Sequence, residues 1–443
     1  MLHSNCCLTF CDGNRQTEQQ TRAPVRNTLK TDLAILGGPK AVAGRICADW
    51  PVYDDEEYRQ LNEVIAGSVW GATGFGPKIA ELNRTWASYC GTRRSVALAN
   101  GTVTMELSLR ALGVLPGMEV VVPAWTFMAT AVAVLHAGCV PVFVDVDPNN
   151  LCIDPTAVEQ NISSRTRAII PVHFAGHPSD MDRIMALARR HDLLIIEDAA
   201  QAHGAIWRGR KMGAFGVCGS YSFQQSKNLQ CGEGGSVVTD DDDLADRLHF
   251  TLSKFGRRQG SSHEPFAHYE LGGNANMTEF QAAVALAQFT RLEDQTDHRA
   301  RNATKLSNWL ENIDGIDPLP VDKRVNRHGN HLFVVRYDSA AFSGLCRADF
   351  IAAAKAEGVP CFALYPRPLF EEPMYDLERM VVAGTELAIR PTPCPNTRQA
   401  CADIVAFPQS MLLASSSEIE LLPLAIEKIQ KQAGQLIRSR RLL

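Results

Sequence analysis

Residues 193–197 read Leu-Leu-Ile-Ile-Glu, an apolar run with no polar alternation. A strand with one wet face alternates polar and apolar side chains, so this run must be buried on both faces. It sits in a longer series of short apolar runs separated by amphipathic stretches. Strands are expected at 95–100, 120–123, 140–144, 168–173, 193–197, 221–223 and 236–239, with helices at 102–112, 126–137 and 180–191. Thr239 and the aspartates after it can cap a further helix running to about residue 255. Strands alternating with helices imply an α/β fold: a mostly parallel sheet covered on both sides, with ligands at the carboxyl ends of its strands.

Residues 278–297 read as one long helix. After about residue 300 the texture changes, to a helix at 301–313, a strand at 331–337, a helix at 348–357, a proline-rich stretch and a last helix from about Glu418. The expected organisation is a tail over 1–32, a large domain over 33–300 and a smaller α+β domain over 301–443. The tail has no periodicity and no apolar core of signal-peptide length, which suits disorder. The apolar stretch 120–144 is long enough to span a membrane, but Pro123, His136, Gly138 and Pro141 interrupt it, so strand, helix and strand fit better.

The net charge is −5, which gives nucleic-acid binding no electrostatic support. Thirteen scattered cysteines include no CxxC pair, so free thiols in a reducing cytosol are expected, and no membrane partner. Gly71-Ala72-Thr73-Gly74-Phe75-Gly76-Pro77 does not join a strand to a helix, which removes a dinucleotide fingerprint and with it a nicotinamide oxidoreductase. His173 and His177 have loose metal spacing without a partner ligand and read as loop histidines.

Two segments carry chemistry. Asp198 ends the buried run, where a carboxylate is costly unless it is paired; from the residues alone it could equally be a helix N-cap or a metal ligand. Lys227 lies 29 residues on, closely after a strand and before Gly232-Glu233-Gly234-Gly235. A lysine partly desolvated at a strand end becomes a usable nucleophile. An amine and a carboxylate on neighbouring elements are what pyridoxal 5'-phosphate (PLP) requires. Asn100-Gly101-Thr102-Val103 joins a strand to a helix, so the Thr102 and Val103 amides can form either an anion site or an ordinary capped turn. Phe127, after Pro123-Ala124-Trp125-Thr126, reads from the residues alone as a core aromatic at a helix start.

These motifs, with Gly272-Gly273-Asn274-Ala275-Asn276-Met277-Thr278-Glu279-Phe280-Gln281, resemble the DegT–StrS family of PLP-dependent sugar and aminocyclitol aminotransferases, from about Leu33 to the C-terminus. The resemblance implies PLP fold type I, with a mostly parallel seven-stranded sheet. It assigns to Lys227 the Schiff base with PLP and the proton carried between substrate and cofactor, and to Asp198 the pyridinium nitrogen, with Glu197 pointing the opposite way along the strand. It places Gln201 near the phenolic oxygen, Ser222 at the phosphate and Phe127, with Trp125 as the neighbouring alternative, stacked on the pyridine ring. His203 is then structural. Asn274 or Asn276 reaches the phosphate of a neighbouring subunit, which implies a homodimer with shared active sites. Arg257, His331 and Tyr365 fall in the substrate pocket by position.

Five residues separate Lys227 from Glu233, a spacing that resembles the aminocyclitol group around L-glutamine:scyllo-inosose aminotransferase and the aminohydroxybenzoate synthases. The expected reaction moves an amino group from glutamine or glutamate to a keto-cyclitol or keto-sugar. A nucleotide-linked 4-keto-sugar acceptor and a PLP-binding regulator without turnover stand as alternatives.

Overall fold

The computed structural model describes residues 32–44, 46–71, 76–256, 267–375, 381–382, 385–386 and 392–440. The expected tail (except Asp32), Arg257 and residues 72–75 of the glycine-containing turn lie outside them.

The main sheet is built from β1 (Arg94–Leu98), β2 (Glu119–Pro123), β3 (Val140–Val144), β4 (Thr166–Ile169), β5 (Leu194–Asp198), β8 (Cys218–Ser222) and β9 (Gly235–Thr239); β6 (Ile206–Trp207) and β7 (Arg210–Lys211) form a hairpin outside it. Its order is β1-β9-β8-β5-β4-β2-β3, and only β9 runs against its neighbours. Each strand feeds two cores. Val120, Val122, Ile196 and Val237 point to one side, and Val121, Ile195 and Val238 to the other. That division is the period-2 geometry of a strand covered twice.

Helices α1 (Asp55–Gly67), α2 (Pro77–Cys90), α3 (Gly101–Ala111), α4 (Ala129–His136), α5 (Pro155–Asn161) and α6 (Met181–His191) accompany this sheet. The start of α2 accounts for Gly76, one glycine of the 71–77 signal. Buried Glu279 accepts the amides of Lys78 (2.8 Å) and Ile79 (3.0 Å), and a Cβ on Gly76 would fall 1.9 Å from that carboxylate. Glu279 thus satisfies a helix N-terminus about 200 residues away, and Gly76 makes room for it.

Three expectations about helices are corrected. The helix expected from 126 begins only at Ala129, because Phe127 and Met128 face outward in the preceding turn. Beyond Thr239 the chain forms α7 (Asp242–Asp246), capped by Asp241, and then a π-helical turn over Arg247–Leu252. The helix expected over 278–297 is two, α8 (Glu279–Phe289) and α9 (Leu292–Leu310). At the break, Arg291 is bound to Asp54 at 2.8 Å and to Glu57, and Thr290 Oγ1 returns to the Ala287 carbonyl at 2.7 Å. The strand expected over 168–173 stops at Ile169, just before Pro171, which has no amide hydrogen to give a ladder.

A second sheet is antiparallel. In chain order β10 (Ile316–Pro318), β11 (Val325–Arg327), β12 (Leu332–Tyr337), β13 (Phe362–Ala363), β14 (Val381–Val382), β15 (Thr385–Glu386) and β16 (Ile404–Pro408) follow; the four-stranded order is β10-β12-β16-β13. Helices α10 (Arg347–Ala356), α11 (Pro395–Asp403), α12 (Ser416–Ile419) and α13 (Leu421–Arg440) complete the chain. The core under this sheet joins Phe333, Phe350, Leu422 and Ile426 with Leu33, Val42 and Ile46 from the beginning of the described chain. Glu357 holds that early segment: it accepts the Ala34 and Ala41 amides and the Lys428 ammonium, while Lys428 also binds the Pro39 carbonyl. Residues 300 and 301 lie inside α9, which therefore runs across the expected domain boundary. Among the described residues no helix is long and apolar enough to cross a membrane, and no cysteine is in a disulfide.

Candidate active site

Parallel strands end on one edge, and the candidate residues gather there. Asp198 is the last residue of β5 and Ser222 the last of β8; Asn100 and Gly101 leave β1 to open α3. A cleft of about 850 Å³ lies over that edge. Gly101, Thr102, Val103, Phe127, Asp198, Gln201, Ser222 and Lys227 all line it. The second sheet closes it with His331, Tyr365 and the residues after β16. Asn274 and Asn276 do not line it.

Asp198 is buried. Its Oδ2 accepts Thr130 Oγ1 at 2.8 Å and its Oδ1 accepts the Ala200 amide at 3.2 Å. Burial raises its carboxyl above the usual carboxylate range, opposed by Thr130, the Ala200 amide and the nearby Lys227 charge. No helix follows it to be capped, and no cluster of three or more metal-ligating side chains exists among the described residues. Glu197 points the other way, as expected: it accepts the amides of Gly213, Phe215 and Gly216 and faces His173 Nε2 at 3.1 Å. His173 and His177 lie in loop segments on either side of the short 3-10 turn Phe174–Gly176, as expected, and both are buried.

Lys227 lies in a loop closed by its own backbone, with Lys227 N to the Gln224 carbonyl at 2.8 Å and Gln225 N to the Gly232 carbonyl at 2.8 Å. Desolvation lowers its ammonium to about 8, against the opposing pull of Asp198. The two groups are therefore close enough to shift each other's ionisation, and much of the Lys227 population is a neutral amine at mildly basic pH.

Asn100 caps α3, and its Oδ1 accepts the Val103 amide at 2.9 Å. This engages one of the two amides expected to face an anion. Among the described residues the amides of Gly101 and Thr102 have no hydrogen-bond partner, and they lie at the helix start. A Cβ on Gly101 would lie 2.8 Å from Ser222 Cβ, so only glycine lets α3 begin this close to the Ser222 hydroxyl.

Phe127 is 57% exposed beside the cleft, whereas Trp125 is buried against Phe174 and Tyr365 and donates Nε1–H to the Tyr365 carbonyl at 3.2 Å. The structure thus separates the stacking candidate from the core aromatic. Gln201 Oε1 accepts the Ala175 amide at 2.7 Å, and Gln201 and Tyr365 both line the cleft. His203 packs against Trp86, Tyr221 and Phe223, and burial lowers its imidazole to about 3, as suits a structural ring. Asn276 Nδ2 is spent on the Ser253 carbonyl (3.0 Å) and Asn274 Oδ1 (2.8 Å), while Asn274 is exposed.

Sequence reasoning missed Thr130, Trp50 and Gln409. Thr130 left a trace, being a hydroxyl within the apolar helix Ala-Thr-Ala-Val-Ala-Val-Leu. Trp50 and Gln409 left none, because only the folded chain brings them to the cleft.

Residues 51–419 match the DegT/DnrJ/EryC1/StrS aminotransferase family. The chain is 33% identical to the L-glutamine:scyllo-inosose aminotransferase of Streptomyces griseus, over 90% of this chain and 98% of the other. It is 39% identical to the dTDP-3-amino-3,4,6-trideoxy-alpha-D-glucose transaminase of Streptomyces venezuelae, over 68% and 76% respectively. The crystal structure of 3-amino-5-hydroxybenzoic acid synthase superposes with a TM-score of 0.79 at 31% identity, covering 88% of this chain and 99% of that one. On this evidence the chain belongs to the DegT/DnrJ/EryC1/StrS aminotransferase family.

Proposed function

We propose that this aminotransferase uses PLP to move an amino group from glutamine or glutamate to a keto-cyclitol, working as a cytosolic homodimer. The observation that carries the reading is the juxtaposition in one cleft of a buried carboxylate and a lysine of depressed pKa. The residues fit the cofactor. Asp198 has no ion-pair partner within 4 Å among the described residues, so a protonated ring nitrogen offers the charge its burial lacks. The free Gly101 and Thr102 amides, the α3 N-terminus and the Ser222 hydroxyl suit a phosphate. The Phe127 face is available for stacking.

Bound PLP supplies an electron sink for the carbon that loses or gains a proton. The protein's share is binding, orientation and proton transfer. Lys227 contributes a neutral amine as nucleophile and, once displaced, a base at its Nζ that can take up and return a proton within the cleft. Thr130 and the Ala200 amide fix the Asp198 carboxylate, so that its charge is aimed without reorganisation.

Support for a polyol acceptor comes from Gln224, Ser226 and Glu233, which line the cleft with an amide, a hydroxyl and a carboxylate suited to sugar-like hydroxyls. The relative named for scyllo-inosose also spans most of this chain. A second copy suits exposed Phe255 and Leu271, which flank the exposed Asn274. Asn274, which is exposed and whose amide group has no hydrogen-bond partner among the described residues, is the better candidate to reach the partner's phosphate site. Unpaired buried thiols suit a reducing compartment.

The test is spectroscopic. The PLP-loaded protein should lose its visible absorption band on addition of L-glutamine and regain it with scyllo-inosose. Recovery only with a nucleotide-linked keto-sugar would replace the acceptor; a band that no amino donor removes would leave a cofactor-binding regulator instead.

A further inference from the structure

Arg299, on α9, is fully buried, yet it has no carboxylate within 4 Å among the described residues. Its Nε donates to Gln409 Oε1 at 2.9 Å and one Nη to Gln295 Oε1 at 3.3 Å; the other Nη is buried without a hydrogen bond. The guanidinium lies 5.4 Å from the centre of the Trp50 ring, and Trp50 in turn donates Nε1–H to the Gln225 carbonyl at 2.6 Å, two residues before Lys227. Trp50 and Gln409 both line the cleft. The Arg299 charge is felt at His203 and His331, the same two rings that feel Lys227.

Two consequences follow from elementary chemistry. An arginine can only donate, so Gln409 must turn its oxygen toward Arg299 and its Nε2 amide group away from it. Among the described residues that group has no hydrogen-bond partner, and it is not sealed from solvent. A buried cation without a counter-ion also leaves positive potential behind this wall of the cleft, and an anion arriving there would relieve it.

We propose that Gln409 and Arg299 form the subsite for the carboxylate of the amino donor. Gln409 donates its Nε2 hydrogens to that carboxylate. Arg299 is a positioning residue that fixes the amide and supplies the unneutralised charge. The proposal rests on the aminotransferase reading with an amino-acid donor, and it explains how one cleft receives an anion in one half-reaction and an uncharged polyol in the other.

The experiment uses the full-length, PLP-loaded protein and two unreactive probes. Glutaramate is L-glutamine without its amine and keeps the carboxylate; glutaramide is its uncharged amide. By calorimetry the native protein should bind glutaramate at least tenfold more tightly than glutaramide. Gln409→Leu should reduce that preference below threefold, while binding of scyllo-inosose changes less than twofold. Gln409→Glu, which gives Arg299 a counter-ion, should abolish the preference. Arg299→Lys should keep part of it, which a merely structural role would not predict. Retention of the tenfold preference in Gln409→Leu would overturn the proposal. So would a native protein that shows no preference, or a loss of scyllo-inosose binding equal to that of glutaramate, which would assign Gln409 to acceptor hydroxyls. Failure of the broader reading has a different signature: the preference is seen, but no amino donor removes the visible band.

Discussion

The chemistry turns on single ionisations. Lys227 titrates near 8 in the folded protein against an ordinary 10.5, because burial penalises its charged form. The nucleophile is the neutral amine, so PLP capture by the cofactor-free protein should accelerate with rising pH and level off above about 8; stopped-flow absorbance reads this directly. The same shift has a stability sign. Between about 8 and 10.5 the unfolded chain holds more protons on this group, so its contribution to stability rises with pH through that window and is absent below it. Lys227→Arg should leave the circular dichroism unchanged and abolish amino exchange. Asp198→Asn keeps the shape but loses the charge opposite the ring nitrogen, and the exchange rate should fall by roughly a hundredfold or more in single-turnover kinetics. Both residues were legible beforehand for one reason: a charged group at the end of a doubly buried strand, or in a loop beside it, is too costly to be incidental. Trp50, Arg299 and Gln409 were not legible. Arg299 sits in an otherwise polar helical stretch, and nothing local says that its side chain will be buried beside a residue 110 positions later.

Among the elements, the regular strands could be read and the breaks could not. Residues 193–196 and 140–144 announce themselves because their side chains are apolar throughout, as a strand between two layers of helix requires. The stop between α8 and α9 has no glycine or proline to mark it; it is made by Arg291 reaching Asp54 and Glu57, a contact from the far end of the domain. The start of α3 is more exacting. Gly101→Ala would set a methyl carbon 2.8 Å from Ser222 Cβ. Backing α3 away should weaken PLP binding by roughly tenfold, about 1.4 kcal/mol, with little change in melting temperature; fluorescence titration of the cofactor-free protein tests it. Glu279→Ala has the opposite profile. It strips two buried amides of their acceptor, so unfolding in urea should show a loss of about 1–3 kcal/mol while cofactor affinity in the folded protein holds.

For the whole molecule, the expected division of labour between subunits gives a sharp outcome. If Asn274 serves the neighbour's site, Lys227→Arg and Asn274→Asp homodimers should each be impaired, and mixing the two after subunit exchange should restore activity. In the mixed dimer one site carries both defects and the other carries neither. Absence of recovery, with exchange verified by mass, would place each site within one chain. The two-sheet plan was legible from the change in texture near residue 300, but the role of residues 33–46 was not. Leu33, Val42 and Ile46 fall in the stretch expected for the large domain and instead join the core under the second sheet.

Among the strands of the main sheet, β1 has β9 as its one neighbour, and β9 is the last of them to leave the ribosome. A nascent chain that has emerged as far as residue 230 therefore holds an apolar ribbon with neither edge satisfied, and its closure must wait for a stretch made some 140 residues later. Stalling within that interval should create a species that binds chaperones and aggregates, whereas release only slightly downstream lets the sheet zip shut.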